Sequence, residues 1–146
     1  MVPTRAFALT QKEAANGSTI VKGQFSISGM MCRALFDFGA THSYVSMNMI
    51  DKWSMPCKLF EHNFSTMLQS RDMMLSTRWL LSTPITIEGR ECLADLIELS
   101  IQVYDFILGM DWLSKHWAMM DGRKKTMEFI PEEGEIFSIR GDVAGF

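Results

Sequence analysis

The chain has 146 residues, 47% of them apolar and 21% charged, which suits one domain with a sizeable core and excludes a disordered chain. A formal net charge of −3 argues against a nucleic-acid surface, and no stretch approaches the ~20 apolar residues that cross a bilayer. Cys32, Cys57 and Cys92 are an odd, widely spaced set with no C-x-x-C pair, so neither a zinc site nor a disulfide framework is expected.

His42, His62 and His116 are scattered and read as surface or turn residues, so no metal is expected. Met1–Ala8 has no long apolar run of a signal peptide, and a reducing, intracellular, cytoplasmic setting fits the free thiols.

Residues 1–18 read as a flexible lead-in, with Pro3, a helical turn or two over Gln11–Ala15, and a polar end at Asn16-Gly17-Ser18. From Thr19 the pattern changes. Ile20, Val21, Phe25 and Ile27 make a strand that enters a hairpin at Gly29, and Met31–Asp37 is the return strand. Ser43–Trp53 reads as a strand followed by a short helix. Phe60–Leu81 has no Gly and no Pro and reads as two extended stretches around a turn near Gln69–Asp72.

A clear hairpin follows, with Ile85 and Ile87 alternating, Glu88-Gly89-Arg90 turning and Cys92–Leu99 returning. Tyr104–Leu108 is a short buried strand ending at Gly109, and Asp111–Trp117 a short helix with a favourable carboxylate near its start. Met119–Asp121 and Thr126–Ile130 flank the Gly122 turn as a last hairpin, and Ile136–Ile139 is a strand candidate in the tail. Many short strands separated by turn signals indicate an all-β barrel or sandwich with one or two short helices. The domain is expected over 19–130, with 131–146 a C-terminal tail, partly strand.

The chemistry concentrates at Leu35-Phe36-Asp37-Phe38-Gly39-Ala40-Thr41-His42-Ser43, where an apolar strand delivers a carboxylate to an Asp-x-Gly-Ala turn. Two carboxylates held close share one proton, since like charges at ~3 Å do not both ionise, as in aspartic proteases. One then takes a proton from water while the other polarises the scissile carbonyl. Of eight Asp residues only Asp37 is followed two places later by Gly, so one chain supplies one such turn. A lone Asp-x-Gly is frequent in ordinary turns. The length of 146 residues is enough for one lobe and not two.

Three segments together resemble the retropepsin-like protease domain of gypsy-type LTR retrotransposons: Ala34–Ser43, then Ile87–Arg90 with Ala94–Leu99, then Tyr104–Leu113 with its Ile107-Leu108-Gly109-Met110-Asp111-Trp112 core. They occur in the family's order, and the likeness covers roughly residues 19–130. The resemblance implies a closed retropepsin-like β-barrel, one lobe per chain, that dimerises and cleaves a polyprotein, with no cofactor. Its partners would be a second copy of itself and a peptide or polyprotein substrate, with no membrane and no direct nucleic-acid binding, within the cytoplasm or a retroelement particle. It implies Asp37 as the catalytic residue. Phe38, Gly39, Ala40 and Thr41 would support it, with Ile107, Leu108 and Gly109 packed beneath. Met67, Leu68, Gln69, Ser70 and Arg71 would be a substrate-binding flap. Asp111 reads as a helix start and Asp105 as a turn residue.

Two segments, the turn and the flap, depart from the family. Phe38 stands where members carry Ser or Thr, whose hydroxyl bonds across the dimer axis. The flap has Gln69 and Arg71 where Pro and Gly are usual, and no Gly occurs between Gly39 and Gly89. The competing reading is a catalytically inactive retropepsin-like domain used as a binding or structural module. Arg140-Gly141-Asp142 suggests adhesion only as a tripeptide common by chance.

Overall fold

The structure is a computed structural model that describes residues 5–8 (backbone), 20–68, 70–100, 103–121, 125–130 and 135–141. The helical turn expected over Gln11–Ala15, the polar Asn16-Gly17-Ser18, flap residue Gln69, Gly122 and Asp142 lie outside these residues.

Strands dominate the architecture. In chain order they are β1 (Arg5–Ala8), β2 (Ile20–Ile27), β3 (Met30–Asp37), β4 (Tyr44–Ser46), β5 (Lys58–Leu68), β6 (Met73–Ile87), β7 (Arg90–Leu99), β8 (Phe106–Leu108), β9 (Ala118–Asp121), β10 (Thr126–Phe129) and β11 (Phe137–Arg140). Helix α1 (Met47–Lys52) follows β4, and α2 (Met110–Lys115) follows β8.

Eight strands form one sheet in the order β1-β5-β6-β2-β3-β8-β4-β7, and β7 also pairs with β6. Strands β6, β2, β3, β8, β4 and β7 therefore close a ring, the all-β barrel expected from the sequence. The closure between β2 and β6 is a junction of two hairpin tips. Ser28-Gly29 and Glu88-Gly89 each hold positive φ at both positions (49° and 83°, 47° and 84°), the geometry of two-residue hairpin turns. The turns bond to each other: Ser28 N–H donates to the Thr86 carbonyl at 2.7 Å and Glu88 N–H to the Ser26 carbonyl at 2.9 Å. Arg90 is already in β7, opposite Ile87, so the second turn is one residue shorter than the sequence suggests.

Buried side chains lie on both faces of the central strands because successive residues alternate across a strand. Ala34 and Phe36 of β3, Phe106 and Leu108 of β8 and Val45 of β4 enter the main core with Trp112 and Leu113 of α2. Leu35, Ile107 and Tyr44, their alternating neighbours, enter a second cluster with Phe64 of β5 and Met74 of β6. Phe36 packs edge-on to Phe25 and Phe129, with centroids at 5.2 and 6.3 Å.

A separate three-stranded sheet, β11-β10-β9, covers one end of this core through Met127, Phe129 and Ile139. Strand β11 thus packs into the same core although it lies past residue 130. Strand β1 lies in the stretch read as a lead-in, and its backbone runs parallel to β5 with Arg5 opposite Ser65 and Ala8 opposite Leu68. Helix α1 follows β4 within the segment read as a strand and a short helix, and Ser46 caps it, its Oγ accepting from Met49 N–H at 3.1 Å. Two elements are shorter than expected. Strand β8 begins at Phe106 because Asp105 is occupied at the edge of β3, its backbone N–H donating to the Arg33 carbonyl at 2.8 Å while its Oδ2 accepts from Arg33 N–H at 2.8 Å. Helix α2 ends at Lys115, and Trp117 beyond it takes a left-handed φ of 55°.

Candidate active site

Strand β3 ends at Asp37, which is 0% exposed, and the chain turns at once. The turn is held from within: Gly39 N–H donates to Asp37 Oδ1 at 2.7 Å and Ala40 N–H to the Asp37 carbonyl at 3.2 Å. Burying a carboxylate is costly unless it is hydrogen-bonded, so this placement is a costly feature that the local sequence is built to hold.

The loop is pinned against the end of β8. Strands β3 and β8 run parallel with Leu35 opposite Ile107 and Phe36 opposite Leu108. At Gly109 a Cβ would collide with the His42 carbonyl oxygen and lie 2.7 Å from that of Ala40, so only glycine fits the crossing. Met110 N–H donates to the Ala40 carbonyl at 2.8 Å, tying the first residue of α2 to the loop.

A side-chain bridge completes the clamp. Ser43, 1% exposed, donates its hydroxyl to Asp111 Oδ1 at 2.7 Å and accepts from Gly109 N–H at 3.0 Å. Asp111 Oδ1 also accepts from Trp112 N–H at 2.7 Å. Asp111 therefore lies in the first turn of the helix, near its start as its position in the sequence indicates, and also reaches back to the loop. Neither Ser43 nor Asp111 stands out as a site residue in the sequence. Ser43 sits inside the turn segment, but the 68-residue separation hides the pairing.

The structure brings Asp37, Gly39, Ala40, Ile107, Leu108 and Gly109 together. Thr41 stands apart, exposed, with its Oγ1 2.8 Å from His42 Nδ1. Phe38 is half-buried, its ring packed against the main core. It lines an apolar groove of about 310 Å³ with Met110 and Met119, so the large ring finds room beside the turn.

Strands β5 and β6 form the long hairpin expected as a flap. Leu68 N–H donates to the Asp72 carbonyl at 2.9 Å and Arg71 N–H to the Leu68 carbonyl at 2.8 Å. Met67 and Leu68 are half-buried, whereas Ser70 and Arg71 are exposed. Arg71 holds φ at 72°, the left-handed conformation that glycine adopts without strain. The arginine adopts the conformation at which the resemblance led to the expectation of a glycine.

The part of this hairpin next to its tip packs into the same cluster as residues of the Asp37 turn. Phe64 and Met74 share a cluster with Leu35 and Ala40, and His42 meets the Phe64 ring edge-on at 5.2 Å. Tyr44 Oη and Thr66 Oγ1, both buried, lie 2.9 Å apart and join β4 to the flap strand. Burial pushes the Tyr44 hydroxyl up to about 12, against the opposing pull of its Thr66 hydrogen bond, so it stays neutral across the working pH range.

One chain thus presents one buried carboxylate on a rigid turn beneath a hairpin. Among curated proteins no match is found. Among solved structures, the retroviral protease-like domain of Ddi1 from Leishmania major is similar in fold, with a TM-score of 0.53 at 16% identity over 76% of this chain and 85% of that one. The family described as retroviral aspartyl protease matches residues 1–135, and the chain therefore belongs to the retroviral aspartyl protease family.

Proposed function

We propose that the chain is an aspartic endopeptidase whose active site is completed by homodimerisation, one Asp37 from each copy. The observation that carries this reading is the placement of Asp37: 0% exposed, at a strand end, with its Oδ1 taking the Gly39 N–H at 2.7 Å. Asp37 is the only Asp-x-Gly aspartate, so the second carboxylate comes from a second copy across a two-fold axis. The pair shares one proton. Its ionised member takes a proton from the attacking water, and its protonated member donates to the scissile carbonyl oxygen. The titration belongs to the pair rather than to either residue.

Gly39, Ala40, Ile107, Leu108 and Gly109 hold the turn in this reading, with Phe38 and Thr41 flanking it. The β5–β6 hairpin, with Met67–Arg71 at its tip, closes over an extended peptide and opens to admit it. The substrate class is a polyprotein, as for the protease of a gypsy-type retrotransposon, processed in the cytoplasm or inside the element's particle. The second reading is an inactive barrel kept as a binding module. Phe38 favours it, since a ring donates no hydrogen bond across the axis.

Peptide cleavage at mildly acidic pH tests both. Pepstatin-sensitive cleavage by the parent, lost in Asp37→Asn, is the expected result. Cleavage by Phe38→Ser alone would establish the inactive-module reading instead.

A further inference from the structure

A second pocket, of about 400 Å³, shares no lining residue with the Asp37 turn or the flap. It opens where the β6–β7 hairpin turn, the C-terminal end of α2 and strands β10 and β11 meet. Small-molecule sites have volumes of about 300–1,000 Å³, so it is large enough for a ligand of one or two rings. Its chemistry is set by Arg90. The guanidinium lies over the Phe137 ring, 4.1 Å from the centroid, and Phe137 stacks in turn on Phe129 at 4.7 Å. Among the described residues no carboxylate pairs with Arg90. Glu91 also borders the pocket, but it is exposed, where water and salt screen its charge. Stacking occupies a face of the planar guanidinium and leaves its N–H fork free for a carboxylate.

The other walls are neutral. Burial holds the His116 imidazole below its ordinary pKa, against the opposing pull of its Leu93 carbonyl bond. Burial also raises the Cys92 thiol above its own, with the Glu91 charge adding to the effect. Behind this wall one donor is unmet. Trp112 is 3% exposed, and its indole N–H has no acceptor among the described residues. Its ring lies 4.5 Å from that of His116 and 5.7 Å from that of Phe129, both pocket residues. Buried polar groups are nearly always satisfied by protein, water or ligand.

We infer that this pocket binds a small aromatic carboxylate, its acid on the Arg90 fork and its ring among Phe129, Phe137, Cys92 and His116. Charge complementarity selects the acid, and the stacked rings select a flat apolar body. A bare anion would leave the aromatic walls unused, and a neutral ring would leave the fork unpaired. The inference stands independently of cleavage at Asp37.

Titrating the full chain with 2-naphthoate, followed by amide and Trp112 indole N–H chemical shifts, tests it. Saturable shifts centred on residues 89–92, 116, 129 and 137 are expected. 2-Naphthalenemethanol has the rings without the charge and acetate the charge without the rings, and each should bind at least about tenfold more weakly. Arg90→Met keeps an apolar stem beside Phe137 and should weaken 2-naphthoate about tenfold with an unchanged melting temperature. Arg140→Met, at an exposed arginine on β11, should leave binding as it is. N-Acetylphenylalanine presents the same chemistry as a chain terminus, so the tighter of the two acids tells a free ligand from a peptide end. No saturable shift with either acid, shifts centred outside the pocket, equal binding of the neutral alcohol, or binding unmoved by Arg90→Met overturns the inference.

Discussion

Ser43 and Asp111 are 68 residues apart and meet through a 2.7 Å hydrogen bond that ties the candidate catalytic loop to the first turn of α2. The Ser43 hydroxyl is also the acceptor for Gly109 N–H at 3.0 Å, so one buried oxygen organises both sides of the crossing. Asp111→Ala removes the acceptor and leaves the buried hydroxyl short of a partner, which should cost about 1–2 kcal/mol in urea unfolding. Asp111→Asn retains an acceptor oxygen and should recover most of that stability. If the two variants unfold alike, the bridge contributes nothing.

Gly109→Ala is expected to be the most damaging small substitution near the turn. The added methyl meets backbone oxygens of His42 and Ala40, and neither can swing aside as a flexible side chain could. Overpacking of this kind costs about 3 kcal/mol. Thermal unfolding should show the loss, and amide exchange should show it centred on residues 39–43.

Arg71 offers the opposite case. Its φ of 72° strains a non-glycine residue by about 1–2 kcal/mol, whereas glycine adds about 0.5–1 kcal/mol of chain entropy to the unfolded state. Arg71→Gly should therefore stabilise the fold by about 0.5–1 kcal/mol, read as a rise in melting temperature. A fall would mean that the arginine side chain makes contacts that outweigh its strained backbone.

Acid should weaken the barrel through Glu98, a buried carboxylate on β7. Burial alone would raise its pKa, but the Thr77 backbone N–H and the Arg78 guanidinium, bonded at 3.1 and 2.7 Å, hold it below the ordinary carboxylate value. A depressed folded pKa contributes stability above the unfolded value of about 4.3, and that contribution is lost as pH falls through the folded value. Stability should therefore decline below about pH 4.5, and Glu98→Gln should flatten that part of the profile. Glu98→Ala at neutral pH should cost about 2–3 kcal/mol, because it strands bonded partners including Arg78, which also reaches Asp51 at 3.1 Å.

Much of the barrel was legible because its signals are local. Alternation in β2, β3 and β7 and the paired turns Ser28-Gly29 and Glu88-Gly89 place those hairpins within a residue or so. A Gly-free stretch such as 60–81 was harder, since a non-glycine residue at positive φ leaves no mark in the sequence. Arg71 performs a glycine's conformation, and only the folded chain reveals it. Strand β8 and helix α2 came out shorter than their apolar patterns because Asp105 and Trp117 are set by tertiary partners and backbone, not by periodicity.

The sequence by itself determined the family, the β-rich class and the single Asp-x-Gly turn, because these rest on residue types at short spacing. Tertiary structure alone decided what surrounds that turn. Ring closure brings Gly109 against Ala40 and Asp111 against Ser43, and it lays Phe38 along an open apolar groove at α2 and β9. Such contacts join residues some 70 positions apart, and their geometry depends on strand order and register, which no local pattern encodes.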